Sequence, residues 1–369
     1  MGKRVAIACQ GGGSQCAFSA GVLKALFASG IHRRVRIVGL SGTSGGAINA
    51  CLAWYGLLRQ ASGDPSPIED RIIACWKELS AQTWREAFFD QAVVQTVRLA
   101  DRGVLPTFAS SPSSIPSRAL QQLASMWLGR TEFTDLRALL LKHIQFPELE
   151  RLVTPESPVL LIGAADVLTG NARVFSSANH GQIPVEALLA SAAVPSLFPA
   201  VKVDGHYFWD GIFSSNPPVT AFIRRPLMGS EAIPEEIWII QVNPFECDAV
   251  PEMPNEILDR RNHMAGNLSL LHELELVEMV NLLIEQQALT QEFRERFQVS
   301  ITEPIKVRTI GMSEQLRRSL DYPTKLSRQP SLLGRLIADG EERGWAFLQE
   351  LAAEGVAGVA EGPGPAHTN

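Results

Sequence analysis

The sequence offers little for a disulfide framework or a metal centre to hold. Five cysteines (Cys9, Cys16, Cys51, Cys75, Cys247) occur at irregular spacing in 369 residues, with no C-x-x-C pair. Neither a disulfide scaffold nor a zinc site is expected, and a reducing compartment fits. Charge is also sparse: 20% of residues are charged, the net charge is −6, and the arginine pairs (Arg33-Arg34, Arg224-Arg225, Arg260-Arg261, Arg317-Arg318) are scattered. Such a chain has no basic stripe for nucleic acid. Residues 37–58 carry no charge and have membrane-spanning length, yet they contain five glycines with Ser41, Thr43, Ser44 and Asn49, so strand, turn and buried helix are expected instead of a span. Met1 to Arg4 lead straight into a short apolar run without an h-region or cleavage site, and Ala6 stands where a myristoylation signal has Ser or Thr, so neither a signal peptide nor a lipid anchor is expected. The expected location is cytoplasmic, with at most a peripheral contact at the inner face of a membrane. There is no internal repeat.

What the sequence does have is a core and a pattern. At 46% hydrophobic it can bury one large domain, or a domain with an appendage. Residues 5–9 form a short apolar run that ends in Gly11-Gly12-Gly13, and residues 17–28 carry apolar positions at helical spacing, which predicts strand, loop and helix. A second such unit follows, with RVRIVGL before SGTSGGAINACLAWYGLL. Helical patterns are predicted over 68–99 and 117–128, around a Pro/Ser-rich loop at 104–116 that could act as a lid. Strands are predicted at 158–165 and 173–176, with a short helix at 184–193 between them and the next pair. VKVDGHYFWDG reads as a hairpin turning at Asp204-Gly205, and EIWIIQV as a buried strand. Strands alternating with helices predict an α/β architecture with a mostly parallel sheet. Beyond Pro254 one long helical pattern covers 257–297, then a strand at 305–310 and a helix at 331–353. The expected organisation is a domain over 1–245, a mainly helical region over 254–357 packed on it, and a disordered Gly/Pro tail over 358–369.

The chemistry concentrates at two glycine-rich turns. Gly42-Thr43-Ser44-Gly45-Gly46 is a G-x-S-x-G motif between a predicted strand and a predicted helix, the context of a nucleophile elbow. A sharp strand-to-helix turn lifts the Ser44 hydroxyl clear of its neighbours, Gly42 and Gly46 remove side chains from the tight crossing, and the helix N-terminus favours developing negative charge. Ser44 as a plain N-cap is the competing account. The triplet after the first strand could aim the N–H groups of Gly12, Gly13 and Ser14 at a tetrahedral oxyanion, with Gly45 N–H as another donor. Phosphate cradling is the rival use of such a loop, but neither G-x-G-x-x-G nor G-x-x-x-x-G-K-[ST] is present.

GGGSQCAFSAGVLKAL, GTSGGAINA and SAAVPSLFPAVKVDGHYFWDGIFSSNPP together resemble the three signature blocks of the patatin-like phospholipase family over roughly 3–218. The resemblance implies a three-layer α/β/α fold with a mostly parallel central sheet, extended here by a helical C-terminal region like that of some bacterial members. It implies Ser44 as nucleophile, Asp210 as its base in a Ser-Asp dyad without histidine, and Gly11, Gly12 and Gly13 in the oxyanion loop. It implies no cofactor and no metal. Two departures stand out. Gln15 and Cys16 replace the family's usual basic residue and glycine, and Ile212 stands where Gly or Ala is usual. Cys16 would be strained if that position needed a left-handed backbone.

Asp204 is accounted for by turn chemistry, whereas Asp210 follows the apolar YFW run, as an end-of-strand catalytic residue should. To act as a base, its carboxyl needs a raised pKa or a proton affinity that grows as Ser44 is attacked, and burial among aromatic residues would help achieve either. A Ser-His-Asp triad is the rival design, and of seven histidines only His206 lies near Asp210 in sequence. Asp166 is assigned a turn before Gly170, and Asn216-Pro217-Pro218 the end of a loop. The expected activity is serine-dependent hydrolysis of lipid or other ester bonds. A transacylase, a non-phospholipid esterase and a catalytically silent lipid-binding or interaction module remain open. Residues 88–97 and 104–116 could present apolar surface to a membrane or line an acyl pocket. The sequence leaves oligomeric state open.

Overall fold

In the computed structural model, residues 2–101, 104, 112, 114–178, 183–195, 197–228, 233–247, 249–297 and 301–355 are described. The predicted lid at 104–116 and the predicted disordered tail lie almost wholly outside them. The chain folds around one eight-stranded sheet made of β1 (Arg4–Cys9), β2 (Arg36–Thr43), β3 (Val159–Asp166), β4 (Ala172–Ser176), β5 (Val201–Val203), β6 (His206–Asp210), β7 (Glu236–Gln241) and β8 (Lys306–Gly311). The order is β5-β6-β3-β2-β1-β7-β8, with β4 also paired to β3. β3, β2, β1, β7 and β8 run parallel, and β4, β5 and β6 make the antiparallel part. This is the mixed α/β, mostly parallel architecture that the sequence predicts.

Side-chain alternation along the strands creates the three layers. Val5, Ile7, Leu160, Ile162, Trp238 and Ile240 enter one core with the helices Ala17–Ala28, Gly45–Ala61 and Pro330–Ala353. Ala6, Ala8, Leu161, Ile237 and Ile239 enter a second core on the opposite face, with Val219, Phe222 and the helix Pro254–Glu285. A sheet buried on both faces needs apolar residues at both parities, which is why these strands read as continuous apolar runs. The C-terminal region therefore contributes to both layers and adds β8 beside β7. Its last helix lies so close to Ala17–Ala28 that a Cβ on Gly340 would stand 2.0 Å from the Phe18 carbonyl oxygen.

Two long helical patterns break in the structure. Helix Ile68–Leu79 ends before a second helix, Trp84–Asp101, begins. Glu86 causes the restart by accepting from the N–H groups of Gln82 (2.7 Å) and Thr83 (2.9 Å), an N-terminal cap supplied from three and four residues downstream. Likewise the 257–297 pattern divides into Pro254–Glu285 and Gln291–Phe297, with Gln287 at φ 53° between them. At the hairpin, Asp204 (φ 48°) and Gly205 (φ 86°) are both left-handed, as a type I′ turn requires. Among the described residues, no helix is long and apolar enough to cross a membrane.

Candidate active site

Register brings the two central residues together. On one edge of β3, β2 pairs as far as Thr43 opposite Gly163. β4 pairs with β3 over Leu161 to Ala165, so it occupies the other edge. β6 pairs antiparallel at Ala164↔Asp210 and can only continue the edge that β2 vacates. Asp210 thus stands one peptide beyond Thr43 along the same rail, and the chain turns at Ser44 into the helix Gly45–Ala61.

Ser44 has φ 56° and ψ −130°, a conformation a non-glycine residue adopts only when its surroundings hold it there. The bend is possible because Gly42 and Gly46 cross tightly: a Cβ on Gly42 would meet the Gly46 carbonyl oxygen at 2.4 Å, and one on Gly46 the Cys9 carbonyl oxygen at 2.2 Å. The Ser44 N–H donates to the Ser191 hydroxyl (2.9 Å), which donates to the Gly163 carbonyl (2.6 Å). Thr43 ties the strand end to the Ser215 carbonyl at 2.6 Å. Ser44 makes no N-cap hydrogen bond with its side chain.

Asp210 is 1% exposed. Burial pushes its carboxyl up to about 7, against the opposing pull of the Ile212 N–H and the Ser44 side chain, both of which favour the charged form. The Ile212 N–H donates to Oδ1 at 2.9 Å, and Ser44 is the carboxyl's side-chain partner. His206 is held elsewhere: its Nδ1 lies 3.0 Å from Asp166 Oδ2, with the imidazole largely in solvent. Asp166 Oδ1 accepts from the Leu168 and Thr169 N–H groups, the turn role expected of it. Asp166 and His206 also line a cavity of about 360 Å³ with Phe175 and Phe208.

The glycine loop lies directly against Ser44. A Cβ on Gly11 would stand 3.0 Å from Ser44 Cβ. The loop's amides are not equivalent. Gly11 N–H donates to Asn216 Oδ1 at 2.7 Å, and those of Gly12 and Gly46 are directed at the Cys16 thiol. Gly13 and Ser14 open a 3-10 helix, Gly13–Cys16, whose first internal bond is Gln15 N–H to Gly12 carbonyl at 3.3 Å; their amides stand ahead of that bond. Gly45 stands equally ahead of the first bonds of its helix, Ala47 and Ile48 N–H to Ser44 carbonyl. Gly11 therefore shapes the loop, whereas the amides of Gly13, Ser14 and Gly45 precede the first backbone bonds of their helices.

The departures from the family pattern are structural contacts. Gln15 Nε2 donates to Thr324 Oγ1 at 2.9 Å, and Cys16 is right-handed (φ −66°), hence unstrained. Ile212 reaches the helix Pro254–Glu285 beside Gly266. Around them is a polar frame that sequence reasoning missed. Gln10 is fully buried; its Oε1 accepts from Val242 and Asn243 N–H groups and its Nε2 donates to Asn267. Asn216, given only a loop end in the sequence reading, is also fully buried and donates to the Gly266 carbonyl at 3.0 Å. Among the described residues, no group of three or more His, Cys, Asp or Glu side chains could hold a metal ion.

Fold and site together define a three-layer α/β protein with a serine elbow set against a buried carboxyl. The patatin-like phospholipase family profile matches residues 7–223, more than half of the chain, and the chain belongs to that family. No curated protein matches it. Similar solved structures include VipD from Legionella pneumophila (13% identity, TM-score 0.42, covering 94% of this chain and 66% of that one). Another is the ExoU-SpcU complex of the type III secretion system of Pseudomonas aeruginosa (15% identity, TM-score 0.28, covering 96% and 60%). The chain spans less than two thirds of the length of either.

Proposed function

We propose that the protein is a serine acyl hydrolase acting on lipid esters through a Ser44-Asp210 dyad. Asp210 accepts the Ser44 proton as Oγ attacks the ester carbonyl. The N–H groups of Gly13, Ser14 and Gly45 hold the resulting oxyanion, and the proton passes to the departing alcohol. Water, deprotonated by the same carboxylate, then releases the carboxylic acid and regenerates Ser44. The observation that carries this reading is the buried carboxyl whose side-chain partner is the serine of a strained elbow: a base near neutrality beside a nucleophile held by backbone geometry.

Lipid as substrate is supported by the rim. Leu197, Phe198, Trp209 and Phe213 are exposed and flank Asp210 in the chain or through the Asp210 N–H to Ala193 carbonyl bond. Such a border suits a peripheral contact with a lipid surface. Residues 1–245 would form the hydrolase unit and 254–357 a region that roofs it and lengthens its sheet. A fluorophosphonate probe applied to the full chain tests the reading. Covalent labelling at Ser44, lost in Ser44→Ala together with lipid ester turnover, is the expected result. An unlabelled, folded protein would point to a silent binding module, and acyl transfer to added alcohols in preference to water would point to a transacylase.

A further inference from the structure

We propose that Lys325, from the C-terminal region, is a positioning residue that places a positive charge behind the oxyanion loop. The inference rests on the Ser44-Asp210 reading. It starts from how closely the segment Tyr322–Lys325 is seated on that loop. Gly13 is left-handed (φ 58°), and a Cβ there would lie 2.3 Å from the Lys325 carbonyl oxygen. Gln15 Nε2 reaches both Thr324 Oγ1 (2.9 Å) and the Asp321 carbonyl (3.3 Å). On its outer side the segment is clamped by the helix Trp84–Asp101: Arg98 pairs with Asp321 at 2.9 Å, and Asp90 accepts from the Arg328 N–H at 2.8 Å and the Ser327 hydroxyl at 3.2 Å.

The lysine side chain then turns inward. Lys325 is 9% exposed, and its Nζ donates to Asn243 Oδ1 at 2.6 Å. Asn243 in turn donates to the Gly11 carbonyl at 3.2 Å, so two hydrogen bonds separate the ammonium from the loop backbone. Cys16 lies between the lysine and the elbow, its sulfur 3.0 Å from where a Cβ on Gly45 would be. The charged and titratable groups facing the lysine are Cys16 from the loop, and Asp259 and His263 from the helix Pro254–Glu285. Burial pushes the Cys16 thiol up to about 12 and His263 down to about 4, so both are neutral near pH 7. The Asp259 carboxylate accepts from the Tyr322 N–H at 2.7 Å.

An ammonium held by a neutral amide is an expensive way to position Asn243, because burying a cation without a directly bonded anion costs several times what one neutral hydrogen bond returns. The facing Asp259 carboxylate offsets part of that cost, and negative charge that develops on the other side of the lysine offsets more. The tetrahedral oxyanion on the Gly13, Ser14 and Gly45 amides is such a charge, and in a dry site a fixed cation acts on it across one intervening side chain. Burial also pulls the lysine down to about 8, so the cation is present at neutral pH and lost as pH rises through that value.

The test compares the wild type, Lys325→Met and Lys325→Arg, each as the full chain, with a soluble p-nitrophenyl ester from about pH 6 to about pH 10. The wild type should give a bell, rising with Asp210 and falling near pH 8. Lys325→Met should lower kcat by about 10- to 100-fold with KM little changed, and should lack the alkaline fall. Its melting temperature should hold or rise, since a buried charge is gone. Lys325→Arg should restore most of kcat and move the fall beyond the range. A folded Lys325→Met with wild-type kcat and an unchanged alkaline limb overturns the inference, as does an Arg variant no better than Met. If the Met variant does not fold, the Arg variant decides alone: the limb must move. Fluorophosphonate labelling separates the two ideas. Absence of label on wild-type Ser44 overturns the dyad itself, whereas normal labelling with unaltered Met-variant kinetics overturns only the role of Lys325.

Discussion

Replacing Asp210 by Asn should impair the enzyme and stabilise the protein, with both effects following from one buried carboxyl. Its pKa is raised from 3.8 to about 7. A raised carboxyl contributes folded-state stability that is fully present below its unfolded pKa, falls as pH rises through the interval, and is gone above about 7. The shift of about 3 units corresponds to an order-of-magnitude penalty of about 4 kcal/mol once the group is ionised in both states. Between about pH 5 and about pH 8 the wild type should therefore lose about 2 to 3 kcal/mol of stability that an Asn at this position does not lose. Asn keeps an acceptor for the Ile212 N–H, so the strand end should survive. Urea unfolding of both proteins at several pH values measures this, and the difference between them isolates the one group. Ester turnover of the variant should fall by about three orders of magnitude or more, as expected when a proton acceptor is removed from a nucleophile. Parallel stability curves across this pH interval would refute the claim that Asp210 is a carboxyl held against its charge, even if activity were lost.

Other outcomes follow from the same geometry. Ser191→Ala removes the acceptor of the Ser44 N–H and should cost about 1 to 3 kcal/mol of stability and about tenfold in kcat, read by denaturation and steady-state kinetics. His206→Ala breaks the pair with Asp166 and the ring contact with Phe208, neither of which touches Ser44 or Asp210, and should leave turnover within about twofold; a loss comparable to that of Asp210→Asn would restore the triad. Gly46→Ala drives a methyl group into the Cys9 carbonyl and should leave little soluble protein on expression. Paired replacement of Trp209 and Phe213 by Ser should reduce co-sedimentation with phospholipid vesicles while sparing hydrolysis of a soluble ester.

The sharp turn at Ser44 and the strand end at Asp210 were legible because their signals are local. Gly42 to Gly46 places a serine between a strand and a helix within five residues, and Asp210 ends an apolar strand. The hairpin at Asp204-Gly205 was legible for the same reason, since its left-handed pair depends on little beyond the dipeptide. What escaped depends on contacts between segments distant in sequence. Ser191 matters because its hydroxyl spans from the Gly163 carbonyl to the Ser44 N–H, and nothing around residue 191 says so. Gln10, Asn216 and Asn243 look like ordinary polar residues until packing buries them under the Pro254–Glu285 helix, which brings its own Asn267 to the same network, and there each must find partners. The loop amides were ranked alike in sequence, yet Asn216 takes the Gly11 N–H. Helix breaks failed for a related reason: apolar periodicity passes through residues 80–83, and only the capping role of Glu86 ends one helix and begins the next.

Because β2 and β6 lie end to end along a single edge of β3, the gap between hydroxyl and carboxyl is counted in peptide units of that one strand. Side-chain changes can tune the reactivity of such a pair without altering its spacing. Removing one residue between Gly163 and Asp166 would do the opposite. The strand would still pair, but position 210 would rotate to the far side of the sheet, leaving Ser44 without the carboxyl beside it.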